Sequence, residues 1–205
     1  MVRKTKIETE HTRQEIIAAA RRVFAARGVS RTTLALIAKE AGVTRGAIYW
    51  HFKNKPDLFF AMMEQVSLPL IDRIDGIIPA ESPGDPLLAI QESMLEILRL
   101  LKEDDLARTT FEIVVLKCEY VDEFASLESR VIKTGCAFID KTTSAYADAQ
   151  KKGLIRDDIA PAQFALESYT FMKGLIQLWL SDVDATLIRG KAESLIKAHI
   201  AMRYK

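Results

Sequence analysis

At 205 residues, 49% of them apolar and 28% charged, the chain can bury one large core or two smaller ones, which excludes a disordered polypeptide. The net charge of +1 conceals a split: residues 1–55 carry 12 Lys and Arg against 4 Asp and Glu, the rest carry 17 against 24, and the basic end suits nucleic acid. No apolar run reaches the roughly 18 residues of a membrane span and charges follow Met1, so a cytoplasmic chain without membrane attachment is expected.

Residues 1–8 hold Arg3, Lys4 and Lys6, a short arm that reads as a solvated tail, with a minor-groove contact as the alternative. The first helix is expected to begin near Thr9 to Thr12, where Thr12 and Glu15 have capping-box spacing. It aligns Ile16, Ala20, Val23, Phe24 and Arg27 and ends at Gly28.

From Ser30 to Pro56 the sequence reads as two short helices joined by a glycine turn. The first starts at Thr32 or Thr33, whose hydroxyls can accept from the open amides of the first turn, and buries Leu34, Ile37, Ala38 and Ala41. Gly42 follows, where a left-handed residue can stop the helix without a Cβ penalty. Thr44 caps the second helix, Arg45 to His51, which turns Ile48 and Phe52 inward. Arg45, Gly46, Ala47, Trp50 and His51 are left outward or at the edge, with Tyr49 beside them. Gly46 costs about 1 kcal/mol of helix stability relative to Ala, so a partner's backbone is expected to come close. Duplex DNA is such a partner. Arg45 can fork onto a guanine edge. Tyr49, Trp50 and His51 can reach phosphate, sugar or a thymine methyl, and Thr33, Thr44 and Lys55 sit at helix starts that favour an anion.

Asn54 and Asp57, with Pro56 tolerated in the first turn, open a bracing helix in which Leu58, Met62, Val66 and Leu70 repeat every four residues. It runs to about Ile74, and Pro69 reads as a kink in it rather than its end. Pro79 to Pro86 is a loop, after which Asp85 and Pro86 start a helix with Leu87, Ile90, Met94, Leu98 and Leu101 on one side. A further helix runs roughly from Leu106 to Cys118. A long one spans about Asp122 to Lys152, with Phe124, Leu127, Val131, Ile132, Cys136, Ile139 and Tyr146 on its stripe, ended by Gly153. Pro161 to Leu180 is apolar nearly all round and needs cover on two sides. A second copy of the chain is the simplest cover, with Leu187, Leu195, Ile196 and Ile200 of a last helix, Ala185 to Met202, completing a four-helix seam in a homodimer.

Cys118 and Cys136 lack the spacing of a zinc site or disulfide framework and read as reduced core thiols. His11, His51 and His199 are too scattered for a metal cluster, and neither a Gly-rich phosphate loop nor a nucleophile elbow occurs. An enzyme is not expected, nor a cofactor or metal. An all-helical enzyme or ligand carrier that happens to contain a helix pair would lack a catalytic constellation.

The stretch from Ser30 to Pro56 resembles the helix-turn-helix of the TetR family, and VTRGAIYWHFKNKPDLF, Val43 to Phe59, resembles its AcrR-like branch of multidrug-efflux repressors. The opening MVRKTK, Met1 to Lys6, and the LKCE run, Leu116 to Glu119, look like the same branch. The resemblance implies an all-α fold, with a three-helix helix-turn-helix DNA-binding domain over 1–55 joined by a long helix to a larger helical ligand-binding and dimerisation domain over 56–205. It also implies a cavity for flat, apolar, often cationic compounds, on which analogy Met94, Leu98, Phe111, Glu112, Val115, Cys136, Ile139, Met172 and Ile176 lie near the ligand. Glu112 would suit a cation. Lys173 departs from that picture and is expected to pair with Glu112 or Glu167, or to meet an anionic ligand.

The expected function is therefore a dimeric repressor of a multidrug-efflux operon on a palindromic operator. It would leave when a small hydrophobic effector favours a conformation whose heads are badly spaced for major grooves about 34 Å apart. The alternative is a TetR-like regulator of a metabolic operon that answers to an acyl or other metabolite ligand.

Overall fold

A computed structural model describes residues 6–78 and 84–205, with the backbone alone described over 126–130 and 132–134. Among the described residues the chain forms nine α-helices: α1 (Lys6–Arg27), α2 (Leu34–Ala41), α3 (Arg45–His51), α4 (Lys55–Ile77), α5 (Pro86–Glu103), α6 (Asp105–Leu116), α7 (Ala125–Lys151), α8 (Pro161–Ser181) and α9 (Ala192–Ala201). Short 3-10 turns, Asp122–Phe124 and Arg189–Lys191, precede α7 and α9. The all-α expectation holds. The proposed arm at Arg3 and Lys4 and most of the loop from Pro79 lie outside the described residues.

The helices form two compact units, one of residues 1–66 and 109–128, the other of 67–108 and 129–205. That division differs from a boundary after residue 55, because α4 contributes to both units and the end of α6 belongs with the head. In the first unit Ile16, Ile17 and Phe24 of α1, Ile37 of α2, Ile48 of α3 and Leu58, Phe59 and Met62 of α4 share one core with Ile113 and Phe124. The Phe59 ring meets Phe24 edge-on at 5.9 Å and Phe124 at 5.5 Å. Each ring so buried contributes about 1.5–3 kcal/mol, which a three-helix module lacks by itself. The brace of the head is thus double: α4, as its four-residue repeat indicates, and the end of α6 with the turn that follows.

Helix α1 begins at Lys6, six residues before Thr12. Thr12 is no cap: its hydroxyl donates to the Glu8 carbonyl at 2.9 Å inside the helix, since nothing in KIETEH stops helix propagation upstream. Helix α4 continues through Pro69, which lies on its exposed side, where solvent can take up the carbonyl left without its N–H. At its start the Asn54 side-chain oxygen accepts from the Asp57 N–H at 2.8 Å, as the cap pattern requires.

In the second unit α5 buries Leu87, Ile90, Met94, Leu98 and Leu101 and packs on α9, which also packs on α8. Asp85 caps α5, accepting from the Leu87 N–H at 2.8 Å. The last helix starts at Ala192, not Ala185. The Asp182 carboxylate accepts from the backbone N–H groups of Thr186, Leu187, Ile188 and Arg189, between 2.8 and 3.2 Å, and holds those residues in a turn instead. These bonds also keep its pKa below the usual carboxylate value. Leu187 is consequently exposed rather than part of a helical stripe. Among the described side chains of α7 the buried ones are Phe138, Thr142, Ala145, Tyr146 and Ala149, with Leu127 and Ile132 of the expected stripe outside that description; Cys136 is exposed and is not the core thiol the sequence pattern suggested. Cys118 is half-buried, and burial pushes its thiol up to about 11.

Candidate nucleic-acid interface

The local chemistry of residues 33–52 sets the pose of α3. Thr33 Oγ1 accepts from the Leu36 N–H at 3.3 Å and Thr44 Oγ1 from the Ala47 N–H at 3.2 Å, so each short helix carries its own cap. Gly42 sits at φ +67°, a conformation costly for any residue with a Cβ, and Val43 returns its N–H to the Ala38 carbonyl at 3.0 Å. Ile48, fully buried, and Phe52 then pin α3 to the head's core from one side.

The opposite side faces solvent. Thr33, Thr44, Arg45, Gly46 and Tyr49 are exposed, Trp50 is 70% exposed, and Ala47 and His51 are half-buried at the edge. With Tyr49, Trp50 leaves two neighbouring aromatic side chains open to solvent on this side. Arg45 reaches along its own helix to the Tyr49 hydroxyl at 3.5 Å, a long bond that holds the guanidinium pKa above its ordinary value. Trp50 meets the His51 ring edge-on at 4.7 Å. Charge, aromatic faces and caps therefore share one strip about two turns long, the dimensions of a helix that can enter a major groove.

Lys55 is placed otherwise. Its side chain is only 11% exposed, its ammonium donates to the carbonyls of Val29 at 3.3 Å and Thr32 at 3.1 Å, and it pairs with Glu123 at 2.8 Å. The same ammonium lies 5.1 Å from the centre of the Phe124 ring. Its position at a helix start suggested an anion site; the structure surrounds it with the protein's own oxygens.

Two descriptions of known families match the chain. Residues 16–62 match Bacterial regulatory proteins, tetR family, and residues 85–204 match MAATS-type transcriptional repressor, C-terminal region. The HTH-type transcriptional regulator TtgR of Pseudomonas putida is 35% identical over 202 residues, 98% of this chain and 96% of its own. The chain belongs to the TetR family. It is a helix-turn-helix transcriptional repressor, and the TetR family is one of regulators rather than enzymes. Among solved structures it is similar to NalD, the secondary repressor of the MexAB-OprM multidrug efflux pump in Pseudomonas aeruginosa, with a TM-score of 0.84 at 29% identity over 98% of this chain and 99% of that one. It is also similar to SmeT, the repressor of the Stenotrophomonas maltophilia multidrug efflux pump SmeDEF, in a complex with triclosan: TM-score 0.81, 27% identity, 95% and 92% covered.

The residues tied by TetR-family resemblance to an effector are not all in one unit. Met94, Leu98, Cys136, Ile139, Met172 and Ile176 belong to the second, where Met94, Leu98 and Met172 are buried, Ile139 and Ile176 half-buried and Cys136 exposed. Phe111, Glu112 and Val115 belong to the first and are half-buried. Lys173 does not meet the expected pairing with Glu167: that carboxylate holds Arg203 at 2.6 Å, while Lys173 lies exposed with its ammonium 5.8 Å from the Tyr169 ring centre. Among the described residues no helix is long and apolar enough to cross a membrane, and no group of three or more His, Cys, Asp or Glu could hold a metal ion.

Sequence reasoning missed the buried Arg21, whose guanidinium donates to Thr110 at 3.0 Å and to Gln65 at 2.5 Å and so ties α1 to α6 and α4. It also missed what the LKCE run does. Lys117 Nζ donates to the Ala25 carbonyl at 2.6 Å, at the end of α1. The one available signal was a charged residue, Arg21, inside the apolar stripe of α1.

Proposed function

We propose that this repressor reads a palindromic operator as a cytoplasmic homodimer, controls a multidrug-efflux operon, and is released by small hydrophobic compounds. The single observation that carries the reading is the solvent-facing strip of α3, with Arg45 at its start and Trp50 70% exposed. Arg45 reads a base edge, Gly46 and Ala47 permit close approach, and Thr33, Thr44, Tyr49, Trp50 and His51 set register on phosphate and sugar. Lys55 is left out of the direct contacts because its ammonium is already held.

Dimerisation is supported by α8 and α9, which leave Leu166, Leu178 and Leu195 in water beside the exposed Gly174 and Ala198, an apolar face with small residues that let helices approach. Effector binding is assigned to the second unit, around Met94, Leu98, Met172 and Ile176. The efflux operon is supported by the pumps that NalD and SmeT repress, and the effector class by the triclosan that SmeT holds. Release needs only a coupling of about 1–3 kcal/mol, a change of roughly 5–150-fold in operator affinity.

A footprint on the DNA upstream of the protein's own gene, repeated with triclosan, tests the reading. Two protected half-sites about one helical turn apart, lost as triclosan is added, are expected. Protection of a single half-site by a monomer would overturn the dimeric reading, and protection indifferent to triclosan and to a panel of efflux substrates would overturn the effector class.

A further inference from the structure

The geometry points to Lys55 as a positioning residue for DNA binding, acting through a strap, Lys117 to Phe124, that fixes the loop from which the reading helices hang. The inference rests on the proposed reading of α3 and concerns the first unit alone.

The loop between α1 and α2 spans residues 28–33 and ends in Thr33, the cap of α2. Two consecutive residues of it, Val29 and Ser30, bond the strap directly. The Val29 N–H donates to the Lys117 carbonyl at 3.0 Å. The Ser30 hydroxyl donates to Glu119 at 3.3 Å. Lys117 Nζ holds the Ala25 carbonyl just upstream at 2.6 Å. From the other side Lys55 Nζ takes the carbonyls of Val29 and Thr32 and pairs with Glu123, while Phe124, 3% exposed, anchors the strap against Phe59. The strap itself enters its 3-10 turn through Asp122 at φ +49°, a strained backbone that persists only where its surroundings demand it.

The chemistry of the three Lys55 partners separates two roles. A phosphate-binding lysine keeps its donors open to solvent; here all three N–H directions point at carbonyls or at Glu123, and the stem is covered. Detaching the ammonium to reach a phosphate would take its N–H groups from both loop carbonyls and leave Val29 with the Thr32 N–H at 3.2 Å. Lys55 is therefore worth more to DNA binding where it is, as the pin that sets how α2 and α3 leave α1, than as one positive charge among many.

The test uses the full chain, a duplex selected from a random pool by the wild-type protein, and a mixed-sequence duplex, over a series of salt concentrations. Lys55→Met should weaken binding to the selected duplex by about tenfold, the effect of one lost buried polar tether, and leave the salt slope of log K at the wild-type value. Glu123→Gln removes a negative charge yet should also weaken binding, by less than Lys55→Met does because the bonds to the Val29 and Thr32 carbonyls remain. The overturning result is a slope reduced by about 0.9 for each lost contact in Lys55→Met together with tighter binding by Glu123→Gln, the pattern of a phosphate ligand with a competing carboxylate. Glu123 is half exposed, so Glu123→Gln keeps the question open to decision if Lys55→Met does not fold. Wild-type protein that prefers no duplex would remove the reading of α3 itself, an outcome distinct from either slope result.

Discussion

Arg45 leaves the first turn of α3 with its guanidinium in solvent, steered by the Tyr49 hydroxyl. Arg45→Ala should cost about 1–3 kcal/mol on the preferred duplex and relax selection at one base position, read by repeating the random-pool selection with the variant. Equal losses on preferred and mixed-sequence DNA would show a phosphate contact instead. The roles of Thr33, Gly42, Thr44 and Ile48 could be read from the sequence because each is decided within about four residues: a hydroxyl reaching the next turn, a left-handed stop, an apolar spacing. Lys55 could not. Its partners Val29 and Thr32 lie 26 and 23 residues back and Glu123 lies in another helix connection altogether, so a cation at a helix start looked like an anion site.

Among the helices, those with strong local punctuation fell where the pattern put them. Pro86 after Asp85, Pro161 after Ala160 and Gly153 after α7 are visible stops and starts, and the observed bounds follow them. The start of α9 was not legible, because nothing between Ala185 and Ile188 forbids a helix; the amides are drawn off by Asp182, and a turn around a carboxylate has no periodicity. Helices α7 and α8 meet where Gly135 lies under the Tyr169 ring, and a Cβ built on that glycine would stand 2.6 Å from two ring carbons. Gly135→Ala should therefore lower thermal stability, by about 1–3 kcal/mol if the ring cannot swing away. Tyr169→Ala in the same chain should recover much of the loss, and a double variant no more stable than Gly135→Ala alone would show that the clash is elsewhere.

At the scale of the whole molecule, the second unit is held by a buried polar chain that sequence patterning has no means of showing. The Tyr146 hydroxyl meets Ser168 Oγ at 2.7 Å, Ser168 Oγ meets His199 Nε2 at 3.0 Å, and Arg203 approaches that same nitrogen at 3.3 Å while gripping Glu167. Phe171 stacks on the imidazole at 4.2 Å. Burial first, then the Arg203 guanidinium, pushes the His199 pKa from 6.5 down to about 4, with Glu167 opposing. The unfolded chain thus takes up a proton that the folded one refuses, so stability is full above the ordinary value and falls as pH drops from 6.5 towards about 4. By about pH 5 the loss amounts to about 2 kcal/mol. The melting temperature of wild type should decline over that window more steeply than that of His199→Gln, which can still bond Ser168; parallel declines would assign the acid sensitivity to other groups.

The two tryptophans of the chain stand in opposite surroundings, one per unit: Trp50 in water at the tip of the head, Trp179 only 4% exposed with the Arg189 guanidinium 4.5 Å from its ring centre. The repressor consequently carries its own pair of fluorophores. Emission from Trp50 should be red-shifted, open to iodide quenching and dimmed when duplex is added, while Trp179 should glow at shorter wavelength and respond to compounds entering the second unit. If the second unit takes an effector as proposed, Trp50→Phe should leave intrinsic fluorescence that follows the effector and Trp179→Phe fluorescence that follows DNA, each without an attached label.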